Sequence, residues 1–181
     1  GERVGSIRLA GKEGLTLTGN AVLDAHGSLL RLDSYGQIID APNRAMVELN
    51  SGDGQLTLAN GARIDLCHGT DDARVAADPS LHDGRDRGTL ELFAPRLGGA
   101  TAGDVAIDAS GVLDIDGARW IALNALQRYD DAAYGTEEAA SGRPYQVIDQ
   151  AYLDAKHADS RAFINAALNN SNLLDNKLAG L

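Results

Sequence analysis

The chain has 181 residues, of which 44% are hydrophobic but only 4% aromatic, and its formal net charge is −10. That length holds one well-buried domain or a slice of something larger. The acidic balance, unrelieved by any Lys/Arg-rich run, repels phosphate backbones and argues against nucleic acid as a partner, and no apolar run approaches the roughly 20 residues that span a bilayer.

The 21 glycines exceed the average share of about 7%, and the apolar material is mainly Leu, Ile, Val and Ala. Short strands joined by tight corners suit that mixture better than long helices. The opening "GERVGSIRLAG" has no apolar core of a leader, so any signal peptide lies outside this sequence. Cys67 is the single cysteine. It excludes an intramolecular disulfide and fits a cytosolic chain as well as one exported unfolded.

From Val4 to Leu66 aliphatic residues alternate with polar ones in short segments. Ile7 and Leu9 pair in "GSIRLAG", Leu15 and Leu17 in "GLTLTG", and Val22 or Leu23 in "NAVLDAHG". Leu30 and Leu32 follow in "SLLRLDSYG", Ile38 or Ile39 in "QIIDAP", Val47 and Leu49 in "AMVELNSG", then Leu56, Leu58, Ile64 and Leu66. The period of two predicts strands with these residues inward. "GLTLTGNAVLDAHG" is echoed by "GQLTLANGARIDLCHG". The offset of the two "LTL" copies is about twice the roughly 22 residues between "SIRLAG" and "SLLRLDSYG", a solenoid-like period. The reading is mainly β: a parallel β-helix whose rungs place like residues above one another.

Residues 67–87, "CHGTDDARVAADPSLHDGRDR", lose the alternation and read as a surface insertion. The coil resumes in "GTLELFAP", "GDVAIDASG" and "VLDIDGARWIAL", with Leu90, Leu92, Val105, Ile107, Leu113 and Ile115 inward and Asp104, Asp108, Asp114 and Asp116 outward. The predicted β-helical part is thus 1–126. Beyond it, 127–181 reads as a polar loop ended by Pro144 and a short helical segment. There Ile148, Tyr152, Phe163, Ala167 and Leu168 share a face, Asp159 or Ser160 caps a second helix, and the apolar faces pack on the coil.

The repeated His-Gly invites a catalytic reading. Some β-helical polysaccharide hydrolases combine paired aspartates with such a motif, and Asp71 and Asp72 follow His68 closely. Two carboxylates flanking a glycosidic bond serve as general acid and base, but here the pair sits in an irregular loop. His26 and His68 therefore read as corner residues before turn glycines. Cys67, His68, Asp71, Asp72 and His82 lack the tight pair spacing of zinc sites, and the acidic residues Asp83 and Asp86 lie in no calcium-loop pattern. No catalytic, cofactor-binding or metal residue is assigned. Neither a Walker-type phosphate loop nor a Gly-x-Ser-x-Gly elbow occurs.

The stretch Arg87 to Asp130 carries a resemblance. Leu92-Phe93-Ala94-Pro95, a Gly-rich corner, the strand Asp104 to Asp108, Ile115-Asp116-Gly117-Ala118 and the run Trp120 to Tyr129 resemble a segment of filamentous-haemagglutinin-like exoproteins of Gram-negative bacteria, as does the tail "AFINAALNN". The resemblance implies a right-handed parallel β-helix, secreted by the two-partner route and serving as a secreted or cell-surface adhesin. Its implied partners are a host-cell surface glycan or protein receptor and an outer-membrane transporter reached through a domain not present here. No cofactor is implied. The secretion domain with its Asn-Pro-Asn-Gly signature is absent, so the chain would be an internal slice with a bare first rung prone to weak self-association. The expected function is a non-enzymatic shaft or side-on binding surface. A polysaccharide-active β-helix enzyme and the stalk of a contact-dependent toxin are the alternatives.

Overall fold

The computed structural model describes residues 5–40, 44–68, 88–128 and 148–181. It is mainly β, with parallel and mixed sheets and a helical segment at the carboxy-terminal side. The first round of chain forms β1 (Ser6–Ala10), β2 (Leu15–Leu17) and β3 (Val22–Asp24), and the second forms β6 (Met46–Asn50), β7 (Leu56–Leu58) and β8 (Arg63–Asp65). Each strand of the second round lies parallel on its counterpart in the first: Ile7 opposite Val47, Leu15 opposite Leu56, Leu23 opposite Ile64. The third round repeats the arrangement with β9 (Gly88–Leu97), β11 (Ile107–Asp108) and β12 (Asp114–Asp116). Between them β10 (Asp104–Val105) turns back antiparallel on β9, and β13 (Ala118–Leu126) lies parallel on β9.

The echo between the two "LTL" copies has its cause here, since Leu15-Thr16-Leu17 stands opposite Leu56-Thr57-Leu58 residue for residue. Parallel pairing places equal side chains over one another, so apolar columns form by themselves. One column is Ile7, Val47, Leu90 and Ile121, and the next is Leu9, Leu49, Leu92 and Leu123. Val47, Leu49, Leu90 and Leu92 are each 0% exposed, whereas Ile7, Leu9, Ile121 and Leu123 at the column ends are half-buried. The inward assignment holds for Leu17, Leu56, Leu58, Val105 and Ile107, which are buried, while Leu15, Leu113 and Ile115 pack against the core from half-buried positions.

Three expectations are corrected. The period of roughly 22 residues is not observed; the stack repeats at the spacing of Leu15 from Leu56. "SLLRLDSYG" is instead an antiparallel hairpin of β4 (Arg31–Leu32) and β5 (Ile38–Asp40), with Asp33 accepting from the backbone amides of Tyr35 and Gln37. Leu32 is accordingly 50% exposed, Leu30 only half-buried and Ile39 exposed. A hairpin of two short strands has too little surface to build its own core, and its tight Asx turn competed with the longer period.

The second correction concerns the tail. One helix, α1 (Gln150–Leu168), runs through Asp159 and Ser160; its N-cap is Asp149, whose carboxylate accepts from the Tyr152 amide at 2.8 Å. Asp159 and Ser160 serve Arg96 instead, at 3.4 Å each, while the guanidinium lies 4.3 Å from the centre of the Phe163 ring. The third is that Phe163 and Ala167 face the core whereas Ile148 and Leu168 are exposed.

After α1 a π-helical segment, Asn172–Lys177, brings Leu173 into the core and returns the backbone to β11. The Ala109 amide donates to the Lys177 carbonyl at 2.7 Å, and the Gly180 amide donates to the Ala109 carbonyl at 2.8 Å. A Cβ at Gly180 would sit 2.0 Å from the Gly111 carbonyl oxygen, so the approach requires glycine there. The Lys177 ammonium pairs with both Asp104 oxygens, at 2.7 and 2.8 Å.

Candidate functional site

Strand ends in this fold stop on an Asx corner. Asp24 accepts from the His26 amide at 3.2 Å, Asp65 from the Cys67 amide at 3.0 Å, and Asp108 from the Ser110 amide at 3.2 Å. A short carboxylate two residues before the amide satisfies a donor that the strand no longer pairs. The aspartate in each echo is therefore a corner residue first.

The two histidines are not equivalent. Gly27, not His26, stands opposite His68, so the His-Gly copies are one residue out of step in the stack. The His26 ring meets the Asp24 carboxylate of its own corner and is exposed. His68 is half-buried, and its Nε2–H donates to the Leu29 carbonyl at 3.0 Å, tying the hairpin to the second round. Asp71, Asp72, His82, Asp83 and Asp86 lie outside the described residues. Among the described residues no group of three or more His, Cys, Asp or Glu side chains is placed to hold a metal ion.

One arrangement escaped the sequence reading. Asp24, Asp65 and Asp116 stand in register on β3, β8 and β12, about 4.8 Å apart from strand to strand. The signal was present as Leu-Asp, Ile-Asp and Ile-Asp, but only the pairing aligns the three. Arg63 lies among them, 3.7 Å from Asp65, 3.9 Å from Asp116 and 3.4 Å from Asp114. The row is on an open strand face, with Asp24 and Asp116 more than half exposed. A glycosidase acid needs a carboxyl held above its ordinary range. Asp24 is held below it by hydrogen bonds from the His26 side chain and backbone, and Asp108 likewise by Ser110. Both are built to stay ionised.

Cys67 is half-buried beside this row. Burial pushes its thiol pKa up, and the neighbouring Asp65 carboxylate adds to the effect. At pH 8 the thiolate fraction is thus smaller than that of free cysteine, and Ellman's reagent is expected to react several-fold more slowly with the folded protein than after denaturation. A folded-state rate equal to the denatured one would contradict this environment.

The largest recess is elsewhere, at the β12–β13 end of the stack. It is a groove of about 640 Å³ lined by Leu113, Ile115, Trp120, Ile121, Leu123 and Leu178 among others. Its floor is aliphatic and Trp120 is 50% exposed on its rim. A second recess of about 390 Å³ lies between β13 and α1, lined by Leu123, Ala125, Phe163 and Leu173. Arg119 borders the first and Arg96 the second, but neither recess is lined by a carboxylate. The comparisons add no constraint: no family model, no curated protein and no solved structure matches the chain.

Proposed function

We propose that the parallel stacks are successive turns of a right-handed β-helix, and that the chain is a non-enzymatic segment of a large secreted or surface-exposed adhesin of the filamentous-haemagglutinin-like kind. Its role there is a stiff shaft that offers a host-cell glycan or protein receptor a lateral surface, export being the task of an outer-membrane transporter. The observation that carries the reading is the residue-for-residue stacking of three strands on three strands, because each added round then lengthens a rod around one continuous core. The motifs from Leu92 to Tyr129 support it independently. The dispersal of carboxylates over corners and an open face suits a surface better than a cleft.

The Asp24, Asp65 and Asp116 row favours one second reading, a polysaccharide-active enzyme. One experiment separates the two. The purified chain is incubated with neutral and acidic polysaccharides while new reducing ends are measured, and its labelled form is added to epithelial cells. Saturable cell-surface retention with no reducing ends is expected. Reducing ends that vanish in Asp65→Asn and Asp116→Asn would replace the adhesin reading by the enzyme.

A further inference from the structure

The strands β1, β6, β9 and β13 form one parallel row, in which β6 and β9 are paired on both sides. β13 pairs with β9 on one side, and among the described residues no strand pairs with the other. In a parallel ladder the amides and carbonyls of a strand serve its two neighbours alternately, so one edge of β13 presents unpaired groups at even spacing. The apolar columns break off at the same place: Leu90 and Leu92 are 0% exposed, but Ile121 and Leu123 directly above them are half-buried. The aliphatic groove described above opens over these two residues.

What fits there is narrow. A second copy would bring its first round as three strand edges at one level, β1, β2 and β3. The edge of β11 at Ala109 is already taken by the backbone of Lys177 and Gly180, so the second strand of an incoming copy meets the tail. A single extended strand meets no such obstacle over β13.

We propose that the outer edge of β13, with the groove over Ile121 and Leu123, is an acceptor for one extended segment of a partner polypeptide, added parallel to β13. Main-chain hydrogen bonds to the edge hold the segment, and two alternating aliphatic side chains continue the columns into the groove, the general mode of strand addition. The outward positions between them are polar, as Thr89 and Glu91 are on β9. The inference uses the in-register stacking alone and does not depend on the adhesin reading.

Trp120 is the single tryptophan of the chain and stands on the rim of the groove, so its fluorescence reports occupancy directly. The probe is a synthetic peptide with the sequence of Gly88–Ala94, GTLELFA, the strand that β13 already accepts on its other side. Titration is expected to shift the Trp120 emission to the blue with saturation. N-methylation of alternate peptide amides on the bonding side is expected to weaken binding by about tenfold or more, the loss of one or two ladder hydrogen bonds. Ile121→Lys is expected to abolish the shift, and Val22→Lys, on an exposed outer position, to leave it unchanged. The N-methylated peptide keeps the test decisive should Ile121→Lys fail to fold. Absence of saturable binding, or equal binding of both N-methylated series, would overturn the proposal. So would a Trp120 shift on concentrating the protein alone, which would make a second copy the occupant.

Discussion

Leu58→Ala is expected to cost about 2–5 kcal/mol of unfolding free energy in urea titrations. Leu58 is 2% exposed in the middle round and stands opposite Leu17 of β2, itself 4% exposed. Truncation there removes a side chain from a column that has neighbours above and below, and the strand backbones on either side cannot close the void because their ladder spacing is set by hydrogen bonds. Leu32→Ala removes the same atoms from a hairpin position 50% exposed and is expected to change stability by no more than about 0.5 kcal/mol. Equal losses at the two positions would refute the assignment of Leu58 to the shared core and of Leu32 to the hairpin.

Gly103→Val is the second large effect, and it acts on the tail. Gly103 has φ +57, and a Cβ there would lie 2.3 Å from the backbone of Ala166 and Ala167. The left-handed backbone costs a branched residue about 1–2 kcal/mol, and forcing extra volume against α1 about 1–3 kcal/mol more. The helix has no room to yield by a side-chain shift, because the clash is with its main chain. It must lift, which breaks the Asn170 Nδ2–H bond to the Gly103 carbonyl at 3.0 Å and uncovers Phe163 and Leu173, 3% and 2% exposed. The expected result is a lower melting temperature together with faster proteolytic cleavage within residues 150–181. A melt and a digestion pattern identical to the parent would show that α1 does not depend on that approach.

The candidate site was legible only in part. Asp24 and Asp65 were visible as the aspartates of an echoed phrase, and His26 and His68 as punctuation before glycine. Which of them share a level was not, because a shift of one residue separates Gly27 opposite His68 from the alignment that the letters suggest. The row of Asp24, Asp65 and Asp116 has the same origin. Carboxylates brought together by pairing across rounds have no local spacing to betray them. Asp159 and Ser160 looked like a helix start because both are good caps, yet the demand of the half-buried Arg96 guanidinium for partners kept them inside α1.

By itself the sequence determined where strands form and which side chains point inward. Alternation with period two is a local property of a pleated chain, and glycine or Asx corners end each run within a few residues. Only the tertiary structure decided which strands lie on which, how deep each column member is buried and where the tail returns. Parallel partners here come from distant rounds, as Leu15 and Leu56 do, and burial depends on cover from above and below. Ile7, Val47, Leu90 and Ile121 read alike as aliphatic strand residues, yet the inner two are sealed and the outer two half-open, because a column shields only the members that have a neighbour on both sides.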